Sequence, residues 1–431
     1  MREQTVAIHF DESLPTLVAE VEAHLGHSFL ETGVVLREAS GRLAFFANED
    51  LAPERIAAVS DAFQKALGHY ARPDRVLADR QSPGAARVLE DSSARTVRVG
   101  ERSIRYLDRR VVGADWVRGP EPEAPAPPRF VFGSLKGGVG RSTTLSVVAA
   151  EQARRGRNVL VVDLDLEAPG IGSILLEPDR RPAFGTLDYL VESGLSGIND
   201  ADLVEFVGTS GLTIGAGLVD VIPVVGTKSE KEPANFLSKL SRAMLDDIDP
   251  GGGTVSLRDK TRRMIDRVTN RRSYDLVLVD ARAGMAELTA GPLLGLGATV
   301  FLFGTAQRQT IEGYSYLFAH LSTLPRSEEE SPWQQLRMVH AKATLSDEVN
   351  AAFKEDLWTL FTEYLYEELE GLDGFNFDVD DPQAPHNPIP VPFDARFIDW
   401  DPVKRPSDLP RNYYEATFGS FNAAVEALLG P

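Results

Sequence analysis

The stretch RFVFGSLKGGVGRSTTLSVVAA, residues 129–150, combines an apolar strand, a glycine-rich turn and the start of a helix. Glycines let an anion approach closely, so successive backbone N–H groups and the positive end of the helix can converge on phosphate oxygens. The alternative is a glycine-rich turn that binds no ligand. Two cationic residues and a Ser-Thr pair at the expected positions favour a phosphate-binding loop instead, in which the Ser142 hydroxyl can bind Mg²⁺. The predicted nucleotide-binding residues of this loop are Lys136, Gly137, Gly138, Val139, Gly140, Arg141, Ser142 and Thr143.

Two further apolar stretches end in aspartates. Residues 158–165, NVLVVDLD, carry Asp163 and Asp165, whose i,i+2 spacing sends both side chains to the same side of a strand. Residues 274–280, YDLVLVD, end in Asp280, where a carboxylate would hold a water bound to Mg²⁺. The alternative for each is an aspartate that caps the next turn or helix.

The segment that follows the phosphate loop alternates apolar strands with helices. Its Val/Leu/Ile runs are typical of strands that are covered on both faces, which predicts an α/β fold with a mostly parallel sheet sandwiched by helices. Ligands bind at the carboxyl ends of the strands in such sheets. Further strands are expected at residues 219–225, 298–304 and 336–342, and further helices at 347–369 and 412–429.

A proline-rich seam, GPEPEAPAPP, divides the chain. Proline fixes φ and removes an amide donor, so this segment is expected to be an extended, semi-rigid connector. We predict three parts: a small α+β domain at residues 1–118, a linker at 119–128 and the α/β domain at 129–431. In the first part, strands are expected at 6–10, 86–90, 95–99 and 103–107, helices at 14–26 and 54–67, and a hairpin turning at residues 40–41.

Composition limits the function classes. The chain of 431 residues has no cysteine, which excludes a disulfide framework, a thiolate zinc site and a cysteine nucleophile. Neither a secretory signal nor an apolar run long enough for a membrane span is visible, so a cytoplasmic protein without membrane association is expected. The net charge is −19, of which residues 1–118 carry only −2, and this disfavours nonspecific attraction to nucleic acid.

One cationic cluster precedes the linker. It could dock nucleic acid or an acidic partner, but acidic residues are mixed into it, so a solvated β-face is the favoured interpretation. The cluster consists of Arg102, Arg105, Arg109, Arg110 and Arg118, with Tyr106 and Trp116 interleaved.

KGGVGRST resembles the deviant Walker A loop of ParA/MinD-type ATPases, which usually reads KGGxGK followed by Ser or Thr. The motifs occur in the same order over about residues 129–431, while the first domain has no counterpart in minimal members of that family. The resemblance implies ATP with Mg²⁺, and a homodimer in which Lys136 reaches the nucleotide of the partner subunit. It also implies that Asp165 positions or polarises the attacking water, that Asp163 supports the magnesium shell, and that Gly284 lies in a switch loop facing the γ-phosphate.

The second lysine of the usual loop is Arg141 here. Arginine keeps the charge but is larger and planar, so the exchange is expected to slow hydrolysis while sparing binding. The alternative is an Arg141 that pairs with an acidic neighbour. For the base, the resemblance indicates Thr305, Gln307, Pro392 and Asp394, with ordinary loop residues as an equal alternative.

The expected function is therefore a slow ATP-dependent switch that dimerises around nucleotide and regulates a partner. A nucleotide-gated binding module with little or no hydrolysis is the second hypothesis, with Arg141 as its cause. A metabolic synthase ranks last, because no motif for a second substrate is visible. The N-terminal domain is expected to act as a sensor or adaptor that binds an unidentified protein partner.

Overall fold

The chain divides into two compact units, residues 1–118 and 119–431. The computed structural model describes residues 8–195, 197–212, 215–249, 251–325, 331–367, 374–406 and 410–430. None of the helices in these ranges is both long and apolar enough to cross a bilayer.

The first unit contains a five-stranded mixed sheet in the order β3-β2-β1-β5-β4. Its elements are α1 (Phe10–His24), α2 (His27–Thr32), β1 (Val34–Arg37), β2 (Leu43–Phe46), α3 (Pro53–Leu67), β3 (Leu77–Ala78), α4 (Ala86–Leu89), β4 (Arg95–Val99) and β5 (Arg102–Asp108). The hairpin and both predicted helices are present. Residues on one side of the sheet and on α1 and α3 form its main core, which includes Leu17, Phe45 and Phe63.

Two expectations for this unit were wrong. The expected strand at residues 86–90, ARVLE, is instead the short helix α4 (Ala86–Leu89), which Glu90 follows as its C-cap. Helix α1 begins at Phe10, which was expected to end a strand; Val6 and Ala7 of that expected strand lie outside the described residues. In both places a short apolar run fits either a strand or a helix, and the tertiary packing decides between them.

The second unit contains an eight-stranded sheet in the order β15-β14-β13-β6-β12-β7-β9-β8. Its strands are β6 (Arg129–Ser134), β7 (Asn158–Leu164), β8 (Gly208–Thr209), β9 (Leu218–Ile222), β12 (Leu276–Ala283), β13 (Thr299–Gly304), β14 (Leu336–Ala343) and β15 (Ile389–Pro392), with a separate two-stranded sheet of β10 (Asp247–Ile248) and β11 (Thr254–Val255). Its helices are α5 (Arg141–Arg154), α6 (Ile171–Leu175), α7 (Thr186–Glu192), α8 (Thr227–Lys231), α9 (Phe236–Ala243), α10 (Leu257–Arg271), α11 (Glu287–Leu294), α12 (Arg308–Leu321), α13 (Asp347–Tyr364) and α14 (Arg411–Leu429). Every neighbouring pair in the large sheet is parallel except β8 with β9, so the predicted α/β fold with a mostly parallel sheet is confirmed.

The central strands are buried on both faces, as their continuous apolar runs predicted. Phe132 of β6, Phe301 of β13 and Phe421 of α14 pack together, with the ring centroids of Phe301 and Phe421 4.8 Å apart. This aromatic contact fixes α14 against the strands that flank the glycine-rich loop. The predicted helix at 347–369 ends at Tyr364, and residues 368 and 369 lie outside the described residues.

A buried carboxylate joins α5 to α14. Glu151 accepts hydrogen bonds from Arg154 (2.6 Å), Arg155 (2.8 Å) and the Tyr414 hydroxyl (2.8 Å). Burial by itself raises the pKa of Glu151, but these three donors outweigh it and lower the pKa from 4.5 to about 2. The ionised form is therefore stabilised in the folded state.

Glu151→Gln should destabilise the second unit at pH 7 by about 3 kcal/mol, because the ionised carboxylate carries the stabilisation. The pKa is lower in the folded state than in the unfolded one, so the contribution is present above pH 4.5 and is lost as the pH falls towards about 2. Urea unfolding of the full chain, followed by tryptophan fluorescence between pH 7 and pH 3, measures this. Three of the four tryptophans lie in residues 119–431.

Glu415→Gln is the matched control. Glu415 lies on the same helix α14 and pairs with Arg411, but its side chain is 44% exposed. Its loss should change the free energy of unfolding by less than about 1 kcal/mol. An equal effect of the two substitutions would contradict the role assigned to Glu151.

Candidate functional site

Parallel strand register brings the predicted carboxylates to one edge of the sheet. Asp280 of β12 lies opposite Asp163 of β7 on one side and opposite Phe132 of β6 on the other. Both aspartates are buried. Since β6 leads directly into the glycine-rich loop, the loop and the carboxylates share the carboxyl edge of the sheet, where α/β proteins bind ligands.

The loop has the backbone geometry that its glycines allow. Gly138 and Gly140 have φ values of +72° and +85°, a left-handed conformation that side chains disfavour, and Gly140 caps the first turn of α5. A Cβ atom added at Gly137, Gly138 or Gly140 would meet nothing within 4 Å. Open space therefore lies beside a turn of backbone at the positive end of a 14-residue helix, which is suitable for an anion.

The guanidinium of Arg141 is directed to the carboxylates. Arg141 is buried, and its Nε donates to Asp280 at 2.7 Å, its Nη1 to the Ser134 hydroxyl at 3.0 Å and its Nη2 to Asp165 at 2.8 Å. Arg141 thus pairs with two acidic neighbours. Its planar fork suits such a set of contacts better than the compact ammonium of lysine would.

The side-chain oxygens of Ser142 and Asp280 lie together at the start of α5. The Ser142 hydroxyl donates to the second oxygen of Asp280 at 2.6 Å. Mg²⁺ prefers oxygen ligands, and it usually takes one or two from the protein and the rest from phosphates and water. In the described ranges no group of three or more His, Asp or Glu side chains is placed to hold a metal ion.

Asp163 has a different environment. Its carboxylate accepts hydrogen bonds from the backbone amides of Asp165 (3.1 Å), Gly170 (3.2 Å) and Ile171 (3.2 Å), and so holds the turn that follows β7. Burial raises the pKa of Asp163 well above its usual value, and the charge of Asp280 raises it further. Burial also raises the pKa of Asp280, although Arg141 and Ser142 lower it. A cation at this edge would relieve the same repulsion.

Lys136 and Gln307 lie together. The Lys136 ammonium donates to the Gln307 side-chain oxygen at 3.3 Å, across the loop that joins β13 to α12. In the same loop the Thr305 hydroxyl contacts Thr310 at 3.3 Å. Gln307 therefore lies beside Lys136, and neither Thr305 nor Gln307 lines the cavity described next.

A cavity of about 280 Å³ opens beside the glycine-rich loop. Two of the predicted base-site residues, Pro392 and Asp394, line it. Asp394 accepts hydrogen bonds from Arg396 and from the Thr417 hydroxyl (2.8 Å), and the Arg396 hydrogen bond is the main reason that the pKa of Asp394 is lowered to about 2. The remaining lining residues are Gly138, Val139, Gly140, Thr143, Lys342, Val391, Phe393, Phe397, Ile398, Thr417 and Phe418.

Sequence reasoning missed several of these residues. Lys342 lies in a bulge of β14 and has a φ of +54°, the sole positive value among described non-glycine residues. Phe393 lies between the two predicted positions and is 57% exposed at the cavity. No sequence motif signals either residue, because the strained backbone and the cavity arise only when β14, β15 and α14 pack together.

A neighbouring loop is the candidate switch. Gly284 has a φ of +100°, and its amide donates to the carbonyl of Ser134 at 2.9 Å. Arg282 pairs with Glu167 at 2.7 Å across the edge of the sheet. The Gly284 amide is therefore engaged by the protein and can reach a bound phosphate only if this loop moves.

Comparison with known proteins gave matches among solved structures. The chain is similar to ParA/MinD-like P-loop ATPases. A ParA family ATPase from Chlorobium tepidum is 13% identical over 69% of this chain and 99% of its own, with a TM-score of 0.43. The pNOB8 ParA bound to nonspecific DNA is 17% identical over 70% and 97%, with a TM-score of 0.42. The cell division ATPase MinD from Pyrococcus furiosus is 15% identical over 70% and 99%, with a TM-score of 0.40.

This similarity to ParA/MinD-like proteins concerns the fold alone. No protein-family profile matches the sequence, and no curated protein does. The roles proposed below therefore rest on the contacts made by residues of this chain.

The arginine cluster of the first unit is largely compensated. Arg102 pairs with Glu22 at 2.7 Å and Arg110 with Asp108 at 2.8 Å. The interleaved Tyr106 and Trp116 are buried, so their rings are not presented to nucleobases. These contacts favour a mixed, solvated face over a nucleic-acid surface.

Gly140→Ala should cost about 1–2 kcal/mol of stability, because a Cβ is disfavoured at a left-handed φ even where space is open. Gly137→Ala is the matched control, since its added Cβ also meets open space and its φ lies outside the left-handed region. Urea unfolding of both variants measures the difference. Equal stabilities would contradict the loop conformation.

Proposed function

We propose that residues 119–431 bind ATP with Mg²⁺, hydrolyse it slowly and act as a cytoplasmic switch that dimerises around nucleotide and regulates a partner. One observation carries the proposal: the left-handed glycine turn borders open space at the start of α5, with the Ser142 hydroxyl 2.6 Å from Asp280. Backbone amides there suit phosphate, and the two oxygen ligands suit its Mg²⁺. The adjoining cavity would take the base between the loop and residues 391–398.

In this mechanism the chain contributes position and charge, which supply most of the catalysis in phosphoryl transfer. The loop amides would hold the phosphates, and Ser142 and Asp280 would hold Mg²⁺, which neutralises charge that develops on the phosphates. Asp163 would keep the turn after β7 in place, and Asp165 would orient the attacking water. Lys136 would reach the nucleotide of the partner subunit, once it leaves Gln307.

A second candidate is a binding module that holds ATP with little or no hydrolysis. It is favoured by the pairing of Arg141 with Asp165 at 2.8 Å, which engages the carboxylate proposed to act on water. As long as that pair persists, the guanidinium occupies one side of this oxygen and limits how a water can approach it. The two candidates share the site and differ in what Arg141 does once ATP has bound.

Lys136→Ala should leave the fold and its stability unchanged, abolish ATP turnover and remove ATP-dependent dimerisation, because the proposed intersubunit contact is lost. Light scattering with and without Mg-ATP measures dimer formation, and phosphate release measures turnover. Lys404→Ala, which removes an 82% exposed lysine paired with Asp401, is the control and should behave as the wild type. Unchanged hydrolysis by Lys136→Ala would remove Lys136 from the mechanism.

Arg141→Lys should raise the rate of single-turnover ATP hydrolysis by about 10-fold or more, because lysine cannot keep all three contacts and Asp165 is released. Arg411→Lys, which changes an exposed arginine paired with Glu415, is the control for the same exchange. Conversion of ATP within minutes by the wild type favours the switch, whereas ATP that survives for hours on folded protein favours the binding module. A slower reaction in Arg141→Lys would show that the arginine assists catalysis.

We also propose that the first unit binds the regulated protein partner, as a sensor or adaptor. Its main support is its separate core, which gives it the means to fold as a unit of its own.

A further inference from the structure

The linker is held on the second unit by a specific set of contacts. The backbone amide of Glu121 donates to the carbonyl of Leu294 at 2.7 Å, and that of Ala124 donates to the carbonyl of Gly297 at 2.8 Å. A Cβ at Gly297 would lie 2.2 Å from the carbonyl oxygen of Pro122, so the chain passes directly over this glycine. We call residues 121–124 the strap.

Two arginines of α10 share the carboxylate of Glu121. Arg258 donates to one oxygen at 2.8 Å, and Arg262 lies 2.7 Å from the other. Arg258 is 2% exposed, so its charge is removed from water along most of the side chain. If Arg258 moved away from Glu121, a buried charge would be left without its partner, which is costly. The contact therefore resists movement of Arg258.

We call the contacts of Glu121 with Arg258 and Arg262 the clamp. Helix α11 lies between the clamp and the carboxyl edge of the sheet, where the nucleotide is proposed to bind. It packs on α10 at two glycines: a Cβ at Gly291 would lie 3.3 Å from the Arg258 Cα, and one at Gly295 would lie 2.2 Å from its Cγ. At Gly291 the helix approaches the backbone of α10, and at Gly295, the residue after α11, the chain lies against the Arg258 side chain, so a shift of α11 acts directly on Arg258. The strap also bonds to Leu294, the last residue of α11.

The other end of α11 begins at Glu287, three residues after Gly284 of the candidate switch. The eight residues of α11 span about 12 Å; Pro292 removes one hydrogen bond within the helix, and the packing of Gly291 on Arg258 holds this part of the helix against α10. The Gly284 amide must leave the Ser134 carbonyl before it can contact a γ-phosphate, and this movement displaces the start of α11. Helix α11 would then carry the displacement to the strap through the hydrogen bond between the Leu294 carbonyl and the Glu121 amide.

We propose that the strap restrains α11 and thereby sets how strongly the site discriminates ATP from ADP. The inference rests on the proposed function. Glu121, Arg258 and Arg262 act as positioning residues, since none of them touches the nucleotide. The strap continues covalently to residue 118 of the first unit, so a displacement of the strap would be passed to that unit. By the same coupling, a force that the first unit exerts on the strap would change the affinity for ATP.

Glu121→Gln tests this in the full chain. It should raise the affinity for the β,γ-imido analogue of ATP, with Mg²⁺, by about 5-fold or more, because displacing α11 becomes easier. The affinity for ADP, which has no γ-phosphate to draw Gly284, should change by less than about 2-fold. Calorimetry measures both constants. Hydrogen exchange of the Glu121 and Ala124 amides should increase with the analogue and not with ADP.

Two further variants complete the design. Glu123→Gln is the matched control, since Glu123 belongs to the strap but contacts Gln335 rather than α10 or α11, and it should change neither affinity. Arg262→Gln removes the more exposed arginine of the clamp and should act in the same direction as Glu121→Gln, with less risk of unfolding. Thermal unfolding checks that each variant is folded.

Equal effects on analogue and ADP, or no effect of folded Glu121→Gln and Arg262→Gln on either, would overturn the inference and leave the nucleotide site intact. Absence of nucleotide binding by the folded wild type would instead overturn the proposed function. The two failures are therefore distinguishable.

Discussion

The contact between the Arg141 guanidinium and the carboxylates of Asp165 and Asp280 is the constraint on which the site depends. Parallel pairing of β7 and β12 places two carboxylates side by side at a buried edge of the sheet. Burial disfavours their ionised forms, and it raises the pKa values of Asp163 and Asp280. The positive charge of Arg141, which lies at the same edge, stabilises the ionised form of Asp280 and lowers its pKa. Any cation that enters must therefore compete with, or displace, a side chain that is already well hydrogen bonded.

The same constraint links the site to the rest of the fold. Arg141 is the first residue of α5, so its position depends on how α5 is fixed. At the other end of that helix Glu151 bonds to Tyr414 of α14, and the packing of Phe421 on Phe301 holds α14 to the sheet. A polar network and an aromatic cluster thus act together to keep the start of α5 at the carboxylates.

On the other side of the site, α11 connects the Gly284 loop to the strap. The proposed restraint would give the proline-rich segment a role beyond spacing, because this segment is hydrogen bonded to the helix that follows the candidate switch. A regulatory signal between the nucleotide edge and the first unit would then need no long path of side chains. It would need helix α11 and, at the far end of that helix, the contacts of Glu121 with Arg258 and Arg262.

Much of the architecture could be predicted from the sequence. The apolar runs, the glycines at positions that require positive φ and the aspartates at strand ends are local patterns, and local patterns determined the parallel sheet, the conformation of the glycine-rich loop and the edge where the carboxylates meet. Contacts between distant segments could not be read in the same way. Arg141 bonds to Asp165 and Asp280, which are 24 and 139 residues away in the sequence, and Glu121 bonds to Arg258, which is 137 residues away. Lys342 has a strained backbone conformation where β14 pairs with β15. Only the tertiary structure decides these, because strand register and helix packing bring the groups within hydrogen-bonding distance.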